Sequence, residues 1–590
     1  MASESRQRSF AGSTSAAAQG RNGRDLRRVP GVRLVHTYRR RQLIPDLWAA
    51  VAVTALMVPH GMAYAELAGV PAVTGLYTTV TAVLVYAAFG PSRNLLLGPD
   101  SSLAPLIAAG LALVLADGDP AAAVAAAGIL ALMTGGLCLL AGLLRLGYIA
   151  ELLSRPVQLG YLNGLAVVMV VSQLPKLFGF SAGGDTVPEI LDGFASGIAD
   201  GRVNTWSLAI GLVSIVVILV IGRRWRRFPG VLLAVVLAIV TVEAFDLVSK
   251  GVPVVGEIPR GFPSPSVPSM NVDWLWPLFL ASFGLTWVTL ADTTALSRGM
   301  AARDGERIDP NTEIMALGAS NAAVGLFQGF PVSASTSRTA TSRAAGGTSQ
   351  LVGVISAVFL IALLLLGAGA LESMPGAVLA AVVVAAAVHL FDHRRVLWLV
   401  KARRSEAVLC IAASVGVVLV GVLNGILIAV AFSLVNFVRT LWRPYDAVLG
   451  RIEKRRGYHD VDRHPNARTV PGLVLFRFDA PLFFANADYF TRRIREIVAT
   501  RDEHVKRIVV AAEPITDIDT TGSEALEQLL DELDDAGIEL GFAELKGPVR
   551  DRLANYGLAD RALRFDDPTV GKAVSRYVRD HGVKWKDWTD

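Results

Sequence analysis

Between Leu47 and Leu441 charge is scarce and apolar runs follow one another, which constrains the fold more than any motif does. Residues 121–144, 206–221, 231–242, 275–290, 351–371 and 408–423 each match or approach the ~20 residues that a spanning helix needs. With the short and broken stretches counted, roughly fourteen such segments precede Leu441. A soluble enzyme would have to bury all of them in one core. With 53% of its residues apolar, the chain reads as a polytopic α-helical membrane protein.

Two of the apolar stretches are broken by polar residues that belong at helix N-termini. The first break is Leu97-Gly98-Pro99-Asp100-Ser101-Ser102, and the second runs from Gly329-Phe330-Pro331 through Val332-Ser333-Ala334-Ser335-Thr336-Ser337-Arg338. Pro99 lies about 54 positions after Pro45 and Pro331 about 57 after Trp274, so the breaks fall at matching points of two halves. Paired breaks of this kind point to the substrate site of an inverted-repeat transporter.

Basic residues set the expected topology. Clusters at 24–41, 145–155, 223–227, 298–307, 394–404 and 451–456 flank spans on one side, while the alternate loops are acidic or poor in Lys and Arg. The positive-inside rule then places both termini in the cytoplasm, in a cell membrane crossed an even number of times. The start, rich in Ser, Ala, Gly and Arg, lacks the apolar core of a signal peptide and reads as a disordered arm. Cys138 and Cys410 fall inside apolar runs and suggest neither a disulfide nor a metal site.

From Pro444 the chain becomes charged and alternates between strand and helix patterns. Strands are expected at 473–478, 507–512 and 538–543. Helices are expected at 486–500, 524–536, 549–556 and 570–577. That is enough for one small α/β domain.

Several motifs then carry a resemblance. Val58-Pro59-His60-Gly61-Met62-Ala63-Tyr64-Ala65-Glu66, Gly75-Leu76-Tyr77, Gly90-Pro91-Ser92-Arg93, Asp309-Pro310-Asn311, Gly318-Ala319-Ser320-Asn321 and Phe330-Pro331 together resemble the sulfate permease (SulP) anion transporters. Ile518-Asp519-Thr520-Thr521-Gly522 resembles the STAS domain that ends most of them. The resemblance implies a seven-plus-seven inverted repeat, a core and a gate region, elevator-like alternating access and a homodimer. The expected domains are a basic arm (1–41), a transmembrane anion-transport domain (42–441, halves 45–250 and 273–441), a linker (442–468) and a cytoplasmic STAS-like domain (469–590).

The site chemistry follows from helix termini, each offering unpaired N–H groups and about half a positive charge. Ser101 and Ser102 open one half-helix; Ser335, Thr336 and Ser337 open the other, with Ala334 just before them and Arg338 close behind as further members of the anion site. These serines and threonines either bind the anion or merely cap their helices. The resemblance places His60 and Tyr64 in the pocket, with His60 where the family usually has Gln. His60 either donates to the anion or is a neutral, hydrogen-bonded residue at a helix break. Glu66 reads as a proton carrier or a helix-end carboxylate.

Asp292 is an ionisable group deep in a span, where the family has a Glu or, in some members, a sodium-binding Asp. It either couples transport to a cation or partners Arg338. Two half-charges and Arg338 give about +2, which ionised Asp292 reduces to about +1. At ~8 Å and an effective dielectric near 20, each unit of anion charge disfavours the carboxylate by about 2 kcal/mol, which makes proton–sulfate symport physically natural. Sodium coupling would draw on Thr293, Thr294 and Ser297. In the STAS-like loop, Thr520 stands where bacterial anti-sigma-factor antagonists are phosphorylated, whereas Thr521 and Glu524 match a capping box.

The expected function is secondary transport of an inorganic anion, sulfate with protons. The alternatives are a sodium-coupled or exchanging bicarbonate or chloride transporter, and an anion-gated channel or sensor signalling through the STAS domain. No cofactor, metal or nucleic-acid partner is expected, and no enzymatic activity. There is no CxxC pair and no Walker loop, and Leu390 stands where a His389–His393 zinc motif needs Glu.

Overall fold

The computed structural model describes Gly31 and residues 38–115, 119–147, 154–184, 186–224, 229–305, 308–453, 455–501 and 503–586. The expected basic arm falls almost wholly outside them, as do Asp117, Asp185, Arg226, Arg227, Glu306 and Arg307. The chain divides into two compact units, Met1–Ser433 and Leu434–Asp590.

The first half consists of α1 (Leu43–Leu67), α2 (Ala72–Phe89), β1 (Leu97–Gly98), α3 (Ala104–Ala112), α4 (Pro120–Leu143), α5 (Arg155–Leu177), α6 (Val187–Ala199), α7 (Thr205–Arg224) and α8 (Gly230–Ala244). The second comprises α9 (Val272–Asp304), α10 (Pro310–Leu326), β2 (Ser333–Ala334), α11 (Thr336–Ala344), α12 (Leu351–Leu366), α13 (Ala368–Glu372), α14 (Gly376–Leu390), α15 (His393–Ala402), α16 (Arg404–Val420) and α17 (Val422–Trp442). Among the described residues eight helices are long and apolar enough to cross a membrane, and α8 and α12 are shorter apolar helices. With the half-helices α3 and α11 counted and the short α6, α13 and α15 set aside, each half holds seven elements. That is consistent with the expected repeat.

The apolar runs match helices except where backbone chemistry intervenes. The run at 351–371 breaks at Gly367, and the one at 408–423 stops at Gly421, whose φ is 94°. α9 extends well past its apolar run and ends where Gly305 adopts a left-handed φ of 68°, its N–H donating to Ala301 O.

Small residues set the helix spacing, because lipid supplies no hydrophobic drive between helices and close backbone contact must replace it. A Cβ on Gly135 of α4 would lie 2.6 Å from Ala322 N of α10, and one on Gly325 of α10 would lie 2.6 Å from Gly128 O. On α5, a Cβ on Gly160 would lie 2.1 Å from Cys410 O of α16, and Ser414 Oγ donates to Gly160 O at 2.7 Å.

The second unit is a six-stranded sheet, β3 (Asp446–Arg451), β4 (Tyr458–Asp460), β5 (Leu473–Phe478), β6 (Arg507–Ala511), β7 (Glu539–Ala543) and β8 (Asp566–Asp567), in the order β4-β3-β5-β6-β7-β8. β5 to β8 are parallel, and β3 runs antiparallel to both β4 and β5. α18 (Ala487–Ala499) and α19 (Thr520–Asp535) contribute to one core, around Phe476, Phe478, Phe490 and Leu529. α20 (Gly547–Asn555) and α21 (Ala559–Ala562) join that core, and α22 (Val570–His581) covers the other, around Leu475, Val509 and Tyr577. β3 and β4 lie in the stretch expected as a linker. There the buried Ala447 and Leu449 alternate over too few residues to stand out from the surrounding charge.

Candidate functional site

The two breaks meet. β1 and β2 pair antiparallel, Leu97 opposite Ala334 and Gly98 opposite Ser333, and each strand leads into its half-helix. Pro99 and Pro331 favour extended backbone before them and remove donors that lipid could not satisfy. Side chains from elsewhere take up the remaining backbone groups. Asn321 accepts from Val332 N at 2.8 Å and donates to Val332 O at 3.1 Å, while Thr78 Oγ1 accepts from Phe330 N at 3.2 Å. Gly98, at φ 152°, lets the Arg338 guanidinium approach: a Cβ there would lie 3.1 Å from its Cζ.

At the first terminus Ser102 is the hub. Its Oγ lies 2.8 Å from Asp100 Oδ1 and 2.8 Å from Asp292 Oδ2, and its N–H donates to Asp100 Oδ1 at 3.1 Å. From α5, Gln158 Nε2 reaches Asp292 Oδ1 at 3.5 Å and the Tyr161 hydroxyl reaches Ser102 O at 3.5 Å. At the second terminus Ser335 is the N-cap, with no side-chain cap of its own, and its Oγ lies 3.2 Å from Ser337 Oγ. Ser335 and Arg338 are buried, whereas Thr336 and Ser337 are exposed, so this terminus is open on one side. Arg338 is 2% exposed, its Nε and Nη2 have no hydrogen-bond partner, and Asp100 and Tyr64 lie within electrostatic reach.

Several expectations need correction. The Ala334 N–H donates to Thr293 Oγ1 at 3.3 Å and the Ser335 N–H to Leu96 O at 3.1 Å. Neither is free for an anion, so the donors left at this end are the Ser335 hydroxyl, the first-turn N–H groups and Arg338. Thr293 Oγ1 thus accepts one N–H and Ser297 Oγ donates to Thr294 O at 3.3 Å, and each hydroxyl oxygen keeps a lone pair. Asp292 bonds to Ser102 and Gln158 rather than to Arg338; the carboxylate within reach of Arg338 is Asp100. Charge counted without Asp100 is therefore incomplete.

His60 Nδ1 lies 2.8 Å from Leu56 O. A carbonyl only accepts, so Nδ1 carries the proton, and in the neutral ring Nε2 is an acceptor that repels an anion. The bond to Leu56 O fits the hydrogen-bonded reading and leaves Nε2 as the nitrogen that an anion could meet. Its ring meets Tyr64 edge to face at 5.6 Å. Glu66 pairs with Lys176 at 3.2 Å instead of standing alone.

Gln158 and Tyr161 escape the sequence reading. Both lie near the start of an apolar helix, and a polar side chain there is the only signal that marks them.

In the second unit Asp519, not Thr521, caps α19. Its Oδ1 accepts from Gly522 N at 2.7 Å and its Oδ2 from Phe484 N at 2.9 Å. The expected capping box is thus displaced, and Thr520 is the exposed first residue of the helix.

Residues 43–413 match the sulfate permease family, and residues 464–573 match the STAS domain. A probable sulfate transporter of Mycobacterium tuberculosis is 40% identical over 534 residues, which cover 90% of this chain and 95% of the relative. The chloroplastic sulfate transporter 4.1 of Arabidopsis thaliana is 30% identical over 550 residues, covering 90% and 79%. The murine Solute Carrier 26 family member A9 anion transporter, solved in the inward-facing state, shares the fold, with a TM-score of 0.85 at 21% identity, covering 96% and 97%. The chain is a multi-pass membrane protein of the sulfate permease family with a C-terminal STAS domain.

Proposed function

We propose that this protein is a secondary transporter that carries sulfate together with protons, binding the anion between the two half-helix N-termini and moving it by an elevator-like alternation. The observation that carries this reading is the β1–β2 crossing. It joins the strands that lead to Ser102 and to Ser335, Arg338 lies against Gly98 with Nε and Nη2 lacking partners, and Asp292 is bonded to Ser102. Helix-end donors and hydroxyls suit an anion that must also leave. Asp292 supplies a carboxylate whose proton would offset the second charge of sulfate. The names of the relatives support sulfate as the anion. The homodimer, the cell membrane as its location and the cytoplasmic placement of both termini belong to the same proposal.

The test is uptake into proteoliposomes with only a pH gradient imposed, challenged with sulfate, bicarbonate, chloride, nitrate and dicarboxylates. Sulfate should accumulate uphill and compete best. Asp292→Asn should sharply reduce accumulation while leaving sulfate exchange partly intact. Accumulation at the wild-type level by that variant would exclude Asp292 from coupling. A wild-type flux that only equilibrates would favour a channel or sensor.

A further inference from the structure

We propose that Asp100 is a second proton-carrying carboxylate of the transport site, sharing one proton with Asp292 through the Ser102 hydroxyl. The inference rests on the symport reading above.

A serine hydroxyl has one hydrogen to donate, and an ionised carboxylate can only accept. Ser102 Oγ nevertheless lies at hydrogen-bond distance, 2.8 Å, from an oxygen of each carboxyl group. Both contacts are hydrogen bonds only when one carboxyl is protonated and donates to Ser102 Oγ while the hydroxyl donates to the other. Two arrangements satisfy this. The proton sits on Asp292 Oδ2 with the hydroxyl turned to Asp100, or on Asp100 Oδ1 with the hydroxyl turned to Asp292. In passing between them, Ser102 Oγ takes the proton of one carboxyl as it gives its own to the other. One O–H bond forms at Ser102 and one breaks, no heavy atom moves far, and the total charge is unchanged.

An independent observation concerns the anion. Arg338 is 2% exposed, presses against Gly98 two residues from Asp100, and has Nε and Nη2 without partners. A buried cation with unused donors is an anion contact not yet made. The other titratable groups facing the pair are His60 and Tyr64 on α1 and Tyr161 on α5. His60 is bonded to Leu56 O through Nδ1, and Gln158 beside them is neutral. Arg338 and two helix ends give about +2. Two ionised carboxylates would cancel that and leave nothing to draw an anion. One shared proton restores about +1, and a second brings the site to about +2, the match for sulfate.

Protons taken up per sulfate bound can be measured with a pH indicator in weakly buffered detergent solutions of the full-length protein, across a range of pH. Infrared spectra read the protonated-carboxyl C=O band. Wild type should show that band before sulfate is added, and its uptake should rise from about one proton toward two as pH increases and the shared proton is lost. Asp100→Asn and Asp292→Asn should each lose the resting band and never exceed one proton, and the double variant should take up none. Ser102→Ala keeps both carboxylates and should also lose the resting band. It serves as the decisive variant if Asp100→Asn does not purify as a monodisperse protein. A wild-type band and uptake profile in either Asp100→Asn or Ser102→Ala would overturn the inference while leaving symport standing. Wild-type sulfate binding without proton uptake at any pH would overturn symport itself.

Discussion

Ser335 and Arg338 show how one residue can hold a site open. Ser335 is buried at the N-cap of the helix that carries Arg338, so if the anion binds at this end, as proposed, a carboxylate placed there would compete with it. Ser335→Glu should weaken sulfate binding at least tenfold, about 1.4 kcal/mol, without loss of fold. Calorimetry on the purified variant checks this, and unchanged affinity would mean that the half-helix ends are not the site. Two buried carboxylates contrast with the partly buried Asp100–Asp292 pair because their donors suffice. Asp46 accepts from Thr348 N at 2.6 Å, Thr348 Oγ1 at 3.0 Å, Ser349 Oγ at 2.6 Å and the Tyr38 hydroxyl at 3.2 Å. Glu313 accepts from Ser92 Oγ at 2.7 Å and from the Tyr86 hydroxyl. Carboxylates supplied with this many donors read as structural ties between distant parts of the chain.

Among the elements, α5 brings Gln158 to Asp292 and Tyr161 to Ser102. Gln158 and Tyr161 stand on either side of Gly160, the residue whose missing side chain lets α5 meet α16. Gly160→Val should push the helices apart, lower the stability of the detergent-purified protein by about 1–3 kcal/mol and weaken sulfate binding. A thermal melt and a binding titration check both effects, and an unchanged melt would show that the contact yields freely. α19 is an element in which a cap and a switch make different forecasts. Thr520 is exposed at a helix N-terminus, where an acidic residue gains about 0.3–1 kcal/mol from the helix dipole. Thr520→Glu should therefore leave abundance and domain stability intact. If the position is a phosphorylation switch, the same change should shift sulfate uptake several-fold, whereas an unchanged rate leaves only the helix start.

For the whole molecule, the relevant boundary lies ahead of the sheet. A cut at Arg468 would strand β3 and β4 without β5, exposing an unpaired edge that invites aggregation. Removing residues 444–590 instead spares every apolar span, since α17 ends at Trp442. The truncated protein should insert with its normal orientation, because all but one of the basic clusters that set orientation lie upstream. Only Arg443, Pro444 and Tyr445 separate α17 from β3, so a cut there leaves α17 whole and removes the whole sheet. Transport should fall several-fold in proteoliposomes, and a wild-type rate and oligomeric state would refute a modulatory role for the domain.

The sequence alone determined whatever depends on neighbours along the chain. Apolar runs announce spans because a helix must satisfy its own backbone in lipid. Pro99 and Pro331 announce breaks because proline cannot continue the ladder. Strand and helix periods outlined most of the STAS domain, from Leu473 to Tyr577. The tertiary structure decided what depends on partners far away. Ser102 and Asp292 lie 190 positions apart, yet their contact, with Asp100 on the other side of the hydroxyl, changes the charge balance of the site. Nothing near Ala334 or Ser335 shows that Thr293 and Leu96 take up their N–H groups. β3 became a strand because β5 was there to pair with it. Local chemistry fixes which groups a residue can offer, and only packing reveals which of them are already taken.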